Sequence, residues 1–153
     1  MGLYLVQHGL SMSKNADPEQ GLTDAGRIEV QRVAIKAREL GIGVSRIIHS
    51  GRKRARQTAE SFAALLTPGR EPVQEKGLDP LDDAAAFAAC LRPDEDLMVV
   101  GHLPFLERLA ALLLTGDPEP TVVRFRNAGI VCMEYLHDRR SWAVMWILTP
   151  EMV

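Results

Sequence analysis

Two histidines and one arginine are the residues of this chain whose types and positions suggest chemistry. His8 follows an apolar run and one glutamine near the amino terminus, and His102 follows a second apolar run and one glycine. Arg54 lies in the basic segment 52–56, shortly after a third apolar run. A neutral histidine is a nucleophile, and the forked donors of arginine match the oxygens of a phosphoryl group. These residue types together predict a site for phosphoryl chemistry.

The apolar runs predict the elements that position these residues. Short apolar runs are typical of strands buried on both faces, and each of these runs leads, directly or through a loop, into a helical pattern. The first helix is expected to begin after Thr23 as its N-cap and to stop at Gly41. Strands that alternate with helices predict a parallel sheet, whose strands all end at the same edge. We therefore expect His8, Arg54 and His102 to converge at that edge.

The last third of the chain has the composition of strands. It is rich in valine, isoleucine and aromatic residues, and we expect two or three strands there, in the segments 121–125, 129–136 and 142–148. Trp142 and Trp146 are expected to share one face of a strand. The predicted fold is α/β: a three-layer α/β/α sandwich with a mostly parallel central sheet, formed by residues 1–153 as a single domain.

Length and charge exclude several classes of function. The chain has 153 residues, 46% of them hydrophobic, which suits one domain with its own core. Its 18 basic and 20 acidic residues give a net charge of -2, which removes the electrostatic argument for nucleic-acid or membrane-surface binding. No apolar run reaches the length of a membrane span, and no signal peptide is expected, so we predict a cytoplasmic protein. Cys90 and Cys132 lack the spacing of metal ligands, and no metal site is predicted.

Four short motifs lie at or near the predicted junctions between strands and helices. They are Gln7-His8-Gly9, Leu22-Thr23-Asp24-Ala25-Gly26, the segment from Ser50 to Thr58, and Gly101-His102-Leu103-Pro104. In residue type and order these motifs resemble those of the histidine phosphatase superfamily. The short length is similar to that of the SixA-type phosphohistidine phosphatases within it. The resemblance covers essentially the whole chain and implies a phosphoglycerate mutase-like fold.

The resemblance also implies a phosphatase that needs neither a metal nor a cofactor. His8 would attack phosphorus and form a covalent phosphohistidine, which water then hydrolyses. Arg54 and His102 would hold the phosphoryl oxygens and stabilise the charge of the transition state. Gln7 and Gly9 would belong to the same phosphate-binding site. Because such a nucleophile must be neutral and held in one tautomer, we expect a partner for its second ring nitrogen.

The resemblance also implies that the acid that protonates the leaving group is a carboxylate of the loop after the second helix. Asp79 is the first candidate, because Leu78-Asp79-Pro80 resembles a motif at the same place in the SixA type. The other carboxylates of this loop are expected to be solvated, namely those of Glu75, Asp82 and Asp83.

The opening motif departs from the family at Gln7, which stands where the family has its first phosphate-binding arginine. An amide donates hydrogen bonds but carries no charge. Arg52 and Arg56 do not suggest themselves as replacements, because a continuous helix would place them about 200° from Arg54. We expect both to be surface residues.

Three functions stay open on this sequence. The leading one is a phosphatase for phosphohistidine in a protein, because the chain has no large insertion that would build a deep specificity pocket. The second is a phosphatase for small phosphomonoesters. The third is a weakened module that binds phosphate or a phosphoprotein, an alternative that the uncharged Gln7 makes reasonable. The expected partner is thus a phosphorylated protein or a small phosphomonoester, and neither a nucleic acid nor a membrane.

Overall fold

The structure, a computed structural model, describes residues 1–153 as a six-stranded sheet flanked by helices. The strands are β1 (Leu3–Gln7), β2 (Arg46–His49), β3 (Val73–Gln74), β4 (Leu97–Gly101), β5 (Ile130–Leu136) and β6 (Ser141–Leu148). The helices are α1 (Asp24–Glu39), α2 (Lys53–Leu66), α3 (Ala84–Ala89) and α4 (Phe105–Thr115), with a short 3-10 helix at Pro150–Met152. None of the helices has both the length and the apolar character that crossing a membrane requires.

The sheet is mostly parallel, as the sequence predicts. Its strand order is β3-β2-β4-β1-β5-β6, and the first four strands in that order run parallel, whereas β5 and β6 are antiparallel additions. Because β1, β4 and β2 are consecutive neighbours, their carboxyl ends lie side by side. Gln7 at the end of β1 pairs with Gly101 at the end of β4. This register brings the first and the last motif of the sequence together.

Two apolar clusters, one on each face of the sheet, form the core. Val6 and its neighbours on one face pack against α1 and α2, and Leu5 and its neighbours on the other face pack against α3 and α4. The alternation along β1 follows from the two-residue period of a strand. The three-layer α/β/α sandwich is therefore confirmed.

The end of the chain has the smaller of the two expected numbers of strands, and it differs from the sequence-based expectation at its tryptophans. Residues 121–125 form no strand, although Val123 and Phe125 are buried, so two strands follow α4. Trp142 and Trp146 do not share a face: Trp142 packs with the cluster around α4, and Trp146 with the cluster around α1 and α2. The cause is a register shift, because Cys132 pairs with Trp146 whereas the next residue of β5 pairs with Val144. The extra residue in β6 inverts the alternation, as a bulge does.

Candidate active site

The backbone of His8, immediately after β1, is fixed from two neighbouring strands. Its N–H donates to the carbonyl of Gly101 at 3.1 Å, at the end of β4. Its carbonyl accepts a hydrogen bond of 2.9 Å from Nδ2 of Asn127, which forms a bridge with Gln7 just before β5. The sheet itself therefore sets where the imidazole of His8 stands.

The ring of His8 is held in one tautomer. Its Nδ1 lies 2.7 Å from the carbonyl oxygen of Gly9, and because a carbonyl can only accept, Nδ1 carries the proton. Nε2 is then the nitrogen with the free electron pair, and it accepts a hydrogen bond of 3.3 Å from Nε of Arg54. Burial lowers the pKa of His8, the Gly9 contact opposes this, and the charge of Arg54 lowers it further. His8 thus has the neutral, singly protonated form that a nucleophile needs.

Thr58 ties the end of β1 to the first turns of α2. Its hydroxyl, fully buried, accepts from the N–H of Gly9 at 3.0 Å and donates to the carbonyl of Arg54 at 2.8 Å. The backbone of Gly9 also approaches α1 closely, since a Cβ there would stand 2.6 Å from Cγ2 of Val30. Gln57, the residue before Thr58, accepts from the N–H of Leu22 at 2.8 Å. Both of these last residues of the third motif therefore hold the loop after β1 rather than the substrate.

His102 stands beside His8 at the end of β4. The two ring centroids are 5.1 Å apart, with the planes tilted by 51°. Nε2 of His102 lies 2.6 Å from Oγ of Ser50, whereas its Nδ1 is buried without a hydrogen-bond partner. Burial, followed by the repulsion that a protonated His8 would exert and by the charge of Arg54, lowers the pKa of His102 to about 3. His102 is therefore neutral in the folded protein, and its buried Nδ1 without a partner carries a cost that packing alone does not explain.

Asp79 is linked to the start of α2 by an ion pair with Arg52. Nε of Arg52 lies 2.9 Å from Oδ1 of Asp79, and the two side chains are 46% and 52% exposed. Arg52 is the N-cap of α2, with an extended backbone at φ −63 and ψ 139. Because α2 begins one residue later, at Lys53, Arg52 is not part of the helix. The expectation that Arg52 lies about 200° around the helix from Arg54 therefore does not apply. Arg56, inside the helix, is exposed as expected and lies 4.0 Å from Glu60.

The structure brings Arg54 and His102 directly against His8, and Gln7 and Gly9 flank His8 in the chain. The side chain of Gln7 is half-buried and takes part in no side-chain hydrogen bond. No group of three or more histidine, cysteine, aspartate or glutamate side chains has the arrangement of a metal site.

Sequence reasoning did not single out three residues that contact the site. Ser50 and Thr58 open and close the third motif, so their place in the motif was the available indication. Asn127 lies in an irregular segment before β5 and had no such indication.

Comparisons with known proteins agree on a family and a fold. The family model of the histidine phosphatase superfamily (branch 1) matches residues 3–82. An uncharacterized protein of Picosynechococcus sp. is 34% identical over 139 residues, which cover 86% of this chain and 83% of that protein.

Two solved structures illustrate the fold. The protein histidine phosphatase SixA, complexed with tungstate, superimposes with a TM-score of 0.85 at 23% identity, over 98% of this chain and 97% of that one. Phosphoserine phosphatase from Entamoeba histolytica, in complex with 3-phosphoglyceric acid, gives 0.73 at 15% identity, over 99% of both chains. These likenesses confirm the expected phosphoglycerate mutase-like fold.

Proposed function

Because this chain belongs to the histidine phosphatase superfamily and is a phosphatase, we propose that it removes the phosphoryl group from phosphohistidine in a protein, through a covalent intermediate on His8. The observation that carries the proposal is the state of the His8 ring. Its Nδ1 is occupied by the carbonyl of Gly9, and its Nε2 faces the guanidinium of Arg54. The free electron pair thus points to the place where a cation would hold a phosphoryl group.

The reaction has two displacements at phosphorus. In the first, a bond forms between Nε2 of His8 and phosphorus while the bond from phosphorus to the substrate imidazole breaks. The electron pair of that bond stays on the substrate nitrogen, which is free to take a proton. In the second, a water oxygen bonds to phosphorus while the bond to His8 breaks; the electron pair of that bond returns to Nε2, and the protons of the water leave with inorganic phosphate.

Arg54 and His102 stabilise the transferring group. The charge of the transition state is spread over three equatorial oxygens, so catalysis depends on donors that are already aimed at them. The hydrogen bond of 3.3 Å from Arg54 to His8 is long, and an anionic oxygen offers the guanidinium a stronger acceptor. The ring centroid of His102 lies 5.1 Å from that of His8, and His102 adds a neutral hydrogen-bonding group.

A phosphohistidine substrate is consistent with an Asp79 that is paired with Arg52. Imidazole is a good leaving group and needs little help from an acid, and in the substrate-free protein the carboxylate of Asp79 is occupied by Arg52 in an exposed ion pair. A protein substrate also suits a site at the open edge of a sheet with no large insertion around it. The fold of the protein histidine phosphatase SixA supports the same substrate class. Asp79 as the leaving-group acid stays a prediction.

Small phosphomonoesters are the second candidate substrates. The fold is shared with a phosphoserine phosphatase that was solved with 3-phosphoglyceric acid. A module that only binds phosphate is the third candidate, since Gln7 removes one charge from the opening motif.

One comparison of substrates separates these functions. The protein is incubated with a phosphohistidine-bearing protein and, in parallel, with phosphoserine, and kcat/KM is measured for each. We expect the phosphohistidine protein to be preferred by at least about tenfold, because its leaving group needs no strong acid. Turnover of phosphoserine alone would support the second candidate. Binding of either compound without release of phosphate would support the third.

A further inference from the structure

The opening motif leaves the site with a shortage of positive charge. Gln7 is neutral, and His8 and His102 are both held in their uncharged forms, so Arg54 is the one permanent cation in direct contact with the nucleophile. A phosphoryl group carries up to two negative charges, and charge-assisted bonds are the ones that hold it well. A second cation near His8 would remove this shortage.

We propose that Arg52 supplies the second guanidinium, by leaving Asp79 and binding the phosphoryl group when substrate arrives. This inference rests on the proposed function, because it concerns how the same site holds the same group. It assigns a phosphate-binding role to a residue of the third motif to which the resemblance gives no role.

The backbone of Arg52 is tied to the site by two consecutive hydrogen bonds. Its N–H donates to Oγ of Ser50 at 3.3 Å, and the same oxygen lies 2.6 Å from Nε2 of His102. As the N-cap of α2, Arg52 has an extended backbone that precedes the helix, so its side chain is not carried around the helix away from Arg54. Arg52 and Arg54 both line one polar cavity of about 350 Å³, which Lys14, Lys53 and Arg56 also line and which His8 and His102 do not.

The charges of Arg52 and Asp79 influence the residues of the site. The positive charge of Arg52 contributes to lowering the pKa of both Arg54 and His102, and the negative charge of Asp79 opposes it at both. The two side chains therefore already act on the groups that would contact the phosphoryl oxygens.

The exchange of partners is feasible because the ion pair is exposed. Both side chains are about half exposed, and ion pairs in that setting contribute little to stability. A phosphoryl group offers arginine two oxygens in the geometry of its forked donors, with more charge than a carboxylate. Asp79 then acts as the residue that keeps Arg52 at the mouth of the site between turnovers.

The test is the binding of inorganic phosphate, measured by calorimetry, to a set of variants. Arg52→Ala should weaken binding by about tenfold or more, the effect of losing one hydrogen bond to a charged group. The matched control is Arg56→Ala, because Arg56 belongs to the same basic segment and lines the same cavity but is not bonded to Asp79 or Ser50. This control should change the affinity by less than about twofold.

Two double variants identify the reason for the effect. If Arg52 stands in for the missing arginine, Gln7→Arg should make the Arg52→Ala substitution nearly silent, with a coupling well outside additivity. If Arg52 acted only by neutralising Asp79, the Arg52→Ala/Asp79→Asn variant would bind phosphate as the wild type does. We expect it to stay about tenfold weaker, as the single Arg52→Ala variant is.

Several results would overturn the inference. These are equal losses in Arg52→Ala and Arg56→Ala, full recovery in Arg52→Ala/Asp79→Asn, or strict additivity of Arg52→Ala with Gln7→Arg. None of them bears on hydrolysis, so the proposed function stands or falls separately, on release of phosphate by the wild type. Thermal unfolding of each variant checks that the fold is intact.

Discussion

Nε of Arg54 lies 3.3 Å from Nε2 of His8, so the cation of the third motif is aimed at the nucleophilic nitrogen of the first. The two residues are 46 positions apart in the chain. They meet because β1 and β2 end at the same edge of the sheet and Thr58 fastens α2 to the loop after β1. The predictions below test what each of these contacts contributes.

Replacing Arg54 should affect the chemical step more than the fold. Arg54→Ala removes a donor aimed at the transition state, and we expect kcat to fall about 10²- to 10³-fold. Arg54→Lys should recover part of the loss, because lysine keeps the charge without the forked geometry. Steady-state kinetics and thermal unfolding of both variants check this. An Arg54→Ala enzyme within about threefold of the wild type would contradict this role for Arg54.

Thr58 should matter for both stability and rate through its hydroxyl. Thr58→Val keeps the shape but leaves the buried N–H of Gly9 without an acceptor, which should cost about 1–3 kcal/mol of unfolding free energy. Loosening the contact between His8 and Arg54 should also lower kcat by about tenfold or more. Thr58→Ser is the control, since it keeps the hydroxyl and should keep kcat. If serine and valine reduce kcat alike, the hydroxyl does not position the site.

His102 should make the protein less stable in acid. Its pKa is about 3 in the folded protein and 6.5 in an unfolded chain, so between pH 6.5 and pH 3 the unfolded chain takes up the proton and the folded protein does not. The stability contribution is intact above pH 6.5 and is lost progressively as the pH falls toward 3. At pH 4.5 the loss should be roughly 2–3 kcal/mol.

Urea unfolding at pH 7.5 and pH 4.5 measures this difference. His102→Gln cannot titrate, so the variant should lose less stability between the two pH values than the wild type by about that amount. The same loss in both proteins would mean that His102 is protonated in the folded state at pH 4.5.

Asp79 should matter only for substrates with poor leaving groups. If it protonates the leaving group, Asp79→Asn should lower kcat for phosphoserine by about 10²-fold or more, because an alkoxide needs that proton. Turnover of a phosphohistidine-bearing protein should change by no more than about threefold, since imidazole leaves readily. An unchanged rate with both substrates would rule out Asp79 as the acid.

The convergence of the site was predictable from sequence because it depends on topology. His8, Arg54 and His102 each come shortly after a short apolar run, and the parallel pairing of β1, β2 and β4 places all three at one edge. The cap of α1 was equally readable: Thr23 accepts from the N–H of Gly26 at 2.9 Å, as the predicted N-cap should. Local pattern and general rules of connection are enough for features of this kind.

Contacts that depend on an exact start or register were not predictable. The position of Arg52 before the helix was not predicted, because the sequence does not show at which residue α2 begins. A difference of one residue at the start removes Arg52 from the helix. Trp142 and Trp146 were predicted to share one face, because no residue pattern in the sequence indicates the bulge that adds a residue to β6. The partner of His8 Nδ1 is a main-chain carbonyl, that of Gly9, which any residue type would provide. In each case tertiary packing decides the contact.

The most direct test of this account is to find the phosphate on the enzyme. The protein is mixed with a phosphohistidine-bearing protein, quenched within milliseconds, digested, and analysed by mass spectrometry for acid-labile phosphate. The account predicts a phosphoryl group on His8 that forms and decays at rates compatible with kcat, and its absence in His8→Ala together with loss of turnover. Turnover by His8→Ala at the wild-type rate, or phosphate on another residue of the wild type, would contradict it.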